Sequence, residues 1–188
     1  MAKALRLLID HGADLTALDM AHSTPLHVAL SSEDLEVVQI LLESGADVNA
    51  QNETHSTPLH MASLDGSAET VRLLIEHGAD VTARDWNHWT PLHSASSEVS
   101  AETCYRDSCY ILRMTSKDIR VDTVRLLIKH GANVNAQDKS HSTPLHLASS
   151  SLYNAETVLL LIEHGADVTA RNETHRTALH LVSSWVSP

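Results

Sequence analysis

The sequence predicts an all-α solenoid, in which pairs of short helices stack in a row without one central core. Two observations carry this. Thr-Pro-Leu-His stands at Thr24–His27, Thr57–His60, Thr90–His93 and Thr143–His146, and returns as Thr177-Ala178-Leu179-His180. Successive copies begin 33, 33, 53 and 34 residues apart, and a fixed period of this size marks stacked supersecondary units. An aliphatic run such as Val71-Arg72-Leu73-Leu74-Ile75 keeps the same pace, and each copy of it closes on Gly-Ala-Asp or Gly-Ala-Asn.

The tetrapeptide reads as a helix start. Proline suits the first helical turn because its missing N–H has no intrahelical partner there. The preceding Thr caps the freed amides, and Leu opens the apolar stripe. A buried imidazole has one nitrogen to donate and one to accept, so these His residues are read as ties between neighbouring units. The aliphatic run is a second helix, ended by Gly in the left-handed conformation. The residue before that Gly is His11, Ser44, His77, His130 or His164. A His there sits at the negative end of the helix dipole and is read as a cap.

Together, Thr-Pro-Leu-His and a Leu-Leu-Ile-Glu-His-Gly-Ala-Asp-Val run on a 33-residue period resemble the ankyrin repeat over nearly the whole chain. The resemblance implies a β-turn and two antiparallel helices per repeat, stacked into a curved solenoid that binds partner proteins. Partners of this family usually contact the turn tips and the first-helix face. Some family arrays are hydroxylated on the Asn of Asp-Val-Asn; Asn49 fits that pattern, and Asn135 fits it less well because Asn133 replaces the acidic residue. A turn-forming Asn explains both positions equally.

In order, residues 1–18 are the second half of a repeat, with Leu5, Leu8 and Ile9 as its apolar face. Residues 19–51 and 52–84 are complete repeats, and residues 85–137 are a repeat carrying 20 extra residues at about 104–123. Residues 138–171 form a repeat with one extra residue, and 172–188 supply a turn arm and a first helix. Solenoids usually end in units with a polar outer face; here ordinary half-repeats stand at both ends, which reads as an excerpt of a longer protein. Removing Cys104 to Thr123 restores the repeat pattern. A binding extension, a neutral surface insertion of small entropic cost and a retained in-frame intron all account for the segment.

Composition bounds the function. The net charge of −11 disfavours general nucleic-acid binding, which needs basic surface against phosphate. No apolar run is long enough to span a membrane, and Met1-Ala2-Lys3 leads into a repeat helix rather than a signal peptide. The two cysteines, Cys104 and Cys109, match neither a disulfide framework nor a metal pair, which suits a reducing compartment. The chain is therefore expected in the cytoplasm or nucleus, as a monomer without cofactor. Ser, His and Asp recur at the repeat period rather than forming one constellation, and no phosphate loop or metalloprotease motif is present. A non-catalytic scaffold or adaptor is the expectation, with a partnerless spacer in a larger protein as the alternative.

The predicted tips are Met20–Ser23, Glu53–Ser56, Trp86–Trp89, Lys139–Ser142 and Glu173–Arg176. Trp86 and Trp89 are candidate contacts, because exposed Trp is a typical anchor of a protein interface, and Met20 on the first tip is a further candidate. Trp exposed beside a Ser-rich groove (Ser63, Ser94, Ser96, Ser149, Ser150) would favour the binder, and Trp buried in the stack would favour the spacer. His22, His55, His88, His141 and His175 share one tip position, where the family usually has Gly because the turn asks for positive φ. His tolerates that region better than most residues. These five are further candidate contacts and suggest a ladder of imidazoles. Adjacent rungs at about one helix-packing distance, 8–10 Å, are too far apart for one zinc ion with bonds of about 2 Å. Exposed His titrates near pH 6.5, so a pH-responsive affinity between about pH 7.5 and 5.5 is a further expectation.

Overall fold

The computed structural model describes residues 1–31, 34–97, 117–151 and 154–184, with side chains from residue 120 onward in the helix that starts at Lys117. It contains α1 (Ala2–Asp10), α2 (Pro25–Leu30), α3 (Leu35–Glu43), α4 (Pro58–Asp65), α5 (Ala68–Glu76), α6 (Pro91–Ser96), α7 (Lys117–Lys129), α8 (Pro144–Ser149), α9 (Ala155–Glu163) and α10 (Ala178–Ser183). No strand occurs among the described residues.

The helices form two rows. First helices α2, α4, α6, α8 and α10 pack on one another in sequence order, as do second helices α1, α3, α5, α7 and α9. Between the rows lies a ribbon of leucines. Leu26, Leu59, Leu92 and Leu145 come from the first helices, and Leu41, Leu74, Leu127 and Leu161 from the second. All eight are essentially buried, so each layer is closed by its neighbours rather than by a central core.

Each first helix starts as the sequence suggests, with Thr in extended backbone at the N-cap followed by Pro, or by Ala178 in α10. The Thr side chain faces the N3 amide at all five, as expected, with Thr24 Oγ1 accepting from the His27 amide at 3.5 Å, and the His adds a second half to the cap. The Thr hydroxyls lie 2.9 Å from Nδ1 of the following His, while the Thr57 N–H donates to His60 Nδ1 at 3.2 Å. The imidazole thus completes a capping box of the kind Glu or Gln usually supplies.

The second helices end on glycines with φ of 84° at Gly12, 89° at Gly45, 88° at Gly78, 91° at Gly131 and 87° at Gly165. A Cβ there would be strained by backbone conformation although space is free around it. His11, His77 and His164 each donate from Nδ1 to the carbonyl four residues back, at 2.7, 2.9 and 2.8 Å, and Ser44 Oγ does the same at 2.7 Å. They are helix caps, as read.

α7 runs from Lys117, so residues 117–123 of the segment read as an insertion stand within a second helix. Val121, Asp122 and Thr123 take the register of Ala68, Glu69 and Thr70, and Thr123 Oγ1 donates to the Gly66 carbonyl at 2.9 Å. The helix therefore starts on the segment's own residues, because Asp122-Thr123 duplicates Glu102-Thr103. Cys104 and Cys109 lie outside the described residues.

Candidate functional site

The tips form one continuous edge. At each, a side-chain carboxylate or amide oxygen folds the turn over itself. Asp85 Oδ1 accepts from the Asn87 and Trp89 amides at 2.8 Å, and Asp19, Asn52, Asp138 and Asn172 repeat the pattern. Sequence reasoning missed these five. Their signal is an Asp or Asn at the repeat period just before each tip, with the known tendency of those residues to cap their own backbone two residues on.

That fold places the tip His at φ of 53° for His22, 58° for His55, 61° for His88, 57° for His141 and 60° for His175. They are the non-glycine residues of positive φ among the described residues. The expected left-handed turn is present at all five, and all five side chains are exposed.

Neighbouring tips are joined by single backbone hydrogen bonds. Glu53 donates to Ala21 at 3.1 Å, Trp86 to Thr54 at 3.0 Å, Lys139 to Asn87 at 3.0 Å and Glu173 to Ser140 at 2.8 Å. Behind them the buried His column ties the same neighbours. His27 Nε2 contacts the Ser56 carbonyl at 3.2 Å, His60 that of Trp89 at 3.0 Å, His93 that of Ser142 at 3.2 Å and His146 that of Arg176 at 3.1 Å. Nδ1 accepts from the Thr N–H and Nε2–H donates to the carbonyl, so one neutral tautomer satisfies every partner. Burial pushes His27, His60 and His93 below the ordinary histidine value, against the pull of the acceptor carbonyls and nearby carboxylates.

The two tip tryptophans differ. Trp86 is 62% exposed and lies parallel to the His55 ring, with centroids 6.3 Å apart and planes within 8°. Trp89 is half-buried. Its indole N–H donates to Asp138 Oδ2 at 3.1 Å, its ring stacks on His93 at 6.4 Å, and its carbonyl receives His60. Trp89 therefore joins repeats. Met20 is fully exposed. Ser63, Ser94, Ser96 and Ser149 are buried and Ser150 is half-buried. The expected Ser-rich groove is thus corrected: four of its five hydroxyls lie in the packed interior. Among the described residues no group of three or more His, Cys, Asp or Glu is placed to hold a metal ion.

The Asn of Asp-Val-Asn has a visible job. Asn49 Nδ2 donates to the Gly78 carbonyl at 3.1 Å, and its Oδ1 accepts from the Asp80 amide at 2.9 Å. Asn135 bridges Gly165 and Asp167 at 3.0 and 2.8 Å. Thr16, Thr82 and Thr169, at the same position, instead turn back to Asp14, Asp80 and Asp167.

Two rows of helices with a shared, hydrogen-bonded turn edge define a helical-repeat solenoid. The family profile described as "Ankyrin repeats (3 copies)" matches residues 1–52, 45–114 and 104–172. The chain belongs to the ankyrin repeat family. A comparison with curated proteins returned no match.

Proposed function

We propose that the chain is a non-catalytic interaction module that presents its tips and first helices to a partner protein. Ankyrin repeats are generally protein–protein interaction modules and are typically non-catalytic. One observation supports the finer reading: Trp86 stands exposed on a tip whose backbone is held from both sides. A large aromatic side chain on a fixed backbone loses little entropy on docking, and Trp is among the residues enriched at interface hot spots. Met20, His22, His55, His88, His141 and His175 share its edge and are proposed as accessory contacts. The net charge of −11 favours a basic partner surface over nucleic acid. Among the described residues no helix is long and apolar enough to cross a membrane. The cysteine usage supports the cytoplasm, with the nucleus as an alternative.

The test is a comparison of the wild type with Trp86→Ala as bait in a cell extract. Loss of specific partners from the variant supports the tip as the anchor; equal recovery overturns it. Trp89→Ala is unsuited to this purpose because it removes a bond between repeats. The half-buried Trp89 is the observation that favours the spacer reading, and that reading predicts no specific partner for either protein.

A further inference from the structure

One position on the tip edge does not vary. The residue two before it is Met20, Glu53, Trp86, Lys139 or Glu173, and the residue after it is Ser23, Ser56, Trp89, Ser142 or Arg176, yet the position itself is His in all five copies. The backbone there has φ between 53° and 61°, a conformation that is costly for any residue with a Cβ and free for Gly. The rings contribute little inside the fold, and all five are exposed. His55 lies parallel to Trp86, and His141 Nδ1 meets Gln137 Oε1 at 3.3 Å. Among the described residues the rings of His22, His88 and His175 have no hydrogen-bond or ring partner. A left-handed residue kept at every turn without an internal contact points to a task outside the fold.

The charges around the rings give that task a direction. The five turns, residues 19–23, 52–56, 85–89, 138–142 and 172–176, carry the carboxylates of Asp19, Glu53, Asp85, Asp138 and Glu173 against the cations of Lys139 and Arg176, a net −3 with neutral imidazoles. Five imidazolium groups turn this into +2. Arg84 and Arg171 flank the turns, donating to the Gln137 and His175 carbonyls at 3.3 and 3.4 Å. With these two included the edge passes from −1 to +4, so the sign reverses either way. Behind the turns His27, His60, His93 and His146 are buried and bonded through both ring nitrogens. Histidine is the side chain whose charge ordinarily changes between about pH 5 and 8, so mild acidification acts on this edge through its exposed row.

We propose that the tip edge holds a basic polypeptide segment at neutral pH and releases it on mild acidification, with the five tip imidazoles as the switch. This rests on the tip reading of function and adds the chemistry of its partner and its regulation. The turn carboxylates supply the attraction. Protonation sets a cation beside them at every turn, so a basic segment laid along the edge meets repulsion over its whole contact rather than at one point. The hydrogen-bonded backbone of the edge stays as it is; only the charge of its side chains changes.

Fluorescence anisotropy of a short labelled oligoarginine peptide tests it, at pH of about 7.5 and about 5.5 in low salt. The readout is the ratio of the two affinities. Exposed ion pairs are individually weak, so the five together are expected to weaken binding to the wild type by about tenfold on acidification. The variant His22→Gly/His55→Gly/His88→Gly/His141→Gly/His175→Gly is expected to show a ratio below about threefold, whatever its affinity at neutral pH. Glycine suits the left-handed turns, so this variant is expected to fold; Asn, also tolerated at positive φ, gives a second set of five substitutions with the same expected ratio. Circular dichroism at both pH values checks that each protein is folded, and a wild type that unfolds at the lower value is compared at pH of about 6 instead. A wild type that does not bind the peptide at neutral pH, or binds it equally at both, overturns the proposal. So does an equal loss in wild type and variant, which assigns the effect to exposed His elsewhere, such as His77 and His130. The Trp86→Ala comparison in extract reads the anchor and this ratio reads the charge, so failure of one is told apart from failure of the other.

Discussion

At the scale of single residues, this protein uses histidine in three conformations for three tasks. At the helix start His60 is neutral, buried and bonded on both nitrogens. His60→Ala leaves the buried Thr57 amide without its acceptor and takes one of two donors from the Trp89 carbonyl, which keeps the Asp85 amide at 3.0 Å. One unpaired buried donor costs about 1–3 kcal/mol, so the variant is expected to lose about 1–3 kcal/mol in urea unfolding; a loss well below about 1 kcal/mol would mean that water replaces the ring. At the tips the opposite holds, since His22 occupies φ of 53° with its side chain in solvent. His22→Gly removes a left-handed conformation that costs an L-residue roughly 1–2 kcal/mol, and is expected to raise stability by up to about 1 kcal/mol. A clear fall would reveal contacts made by the ring. At the second-helix ends, His11, His77 and His164 act through one carbonyl each.

At the scale of elements, the legible and the illegible divide by distance along the chain. Helix starts and stops are written locally, in Thr-Pro, in Gly and in the spacing of Leu. The acceptor of His60 lies 29 residues away, and that of His93 lies 49 away because the extra segment intervenes. Trp86 and Trp89 look alike in sequence; only the stacked neighbour decides that one meets Asp138 and the other meets solvent. The start of α7 is ambiguous in sequence because two Asp/Glu-Thr pairs compete for one register. The Ser63 and Ser96 hydroxyls are buried without a hydrogen-bond partner, which a helical pattern of small residues does not announce. Replacing such a group with an apolar one is neutral or favourable, so Ser63→Ala is expected to leave the urea midpoint unchanged or to raise it. Asn49→Ala removes two bonds that join repeats and is expected to cost about 1–3 kcal/mol. Asn49→Thr is expected to cost less, since Thr82 and Thr169 satisfy the same loop from within.

At the scale of the whole molecule, stability is a sum over neighbouring layers, and the buried His column makes that sum depend on pH. His27, His60 and His93 have folded-state values held below the ordinary one by burial. The unfolded chain therefore binds protons first as pH falls. The stability these groups contribute is present above about pH 6.5 and is lost progressively below it, toward the depressed folded values. The Asp19, Asp47, Asp80, Asp85 and Asp138 carboxylates oppose the shift but do not reverse it. Thermal melts are expected to show the melting temperature falling from neutral pH toward pH of about 5.5, and a flat profile would place the imidazoles in water. The order of opening follows from burial: α1 has no buried residue and α10 only Ala178. Hydrogen exchange is expected to be fastest there and slow in α3, α4 and α6, whose residues are mostly buried.

The pairing of a backward tip bond with a forward imidazole bond has a mechanical corollary. Two attachments on one edge act like the pins of a hinge: adjoining layers turn about that edge but do not slide along it. Where Asn49 or Asn135 adds a third attachment between the layers, the turning is further restrained. Curvature then changes mostly by opening and closing the second-helix side, while the tip edge keeps its graduations. A partner laid along the tips would read a ruler of fixed pitch on a strip of variable bend. Recognition on that edge would depend on the spacing of the partner's own anchors more than on its ability to mould itself to a surface.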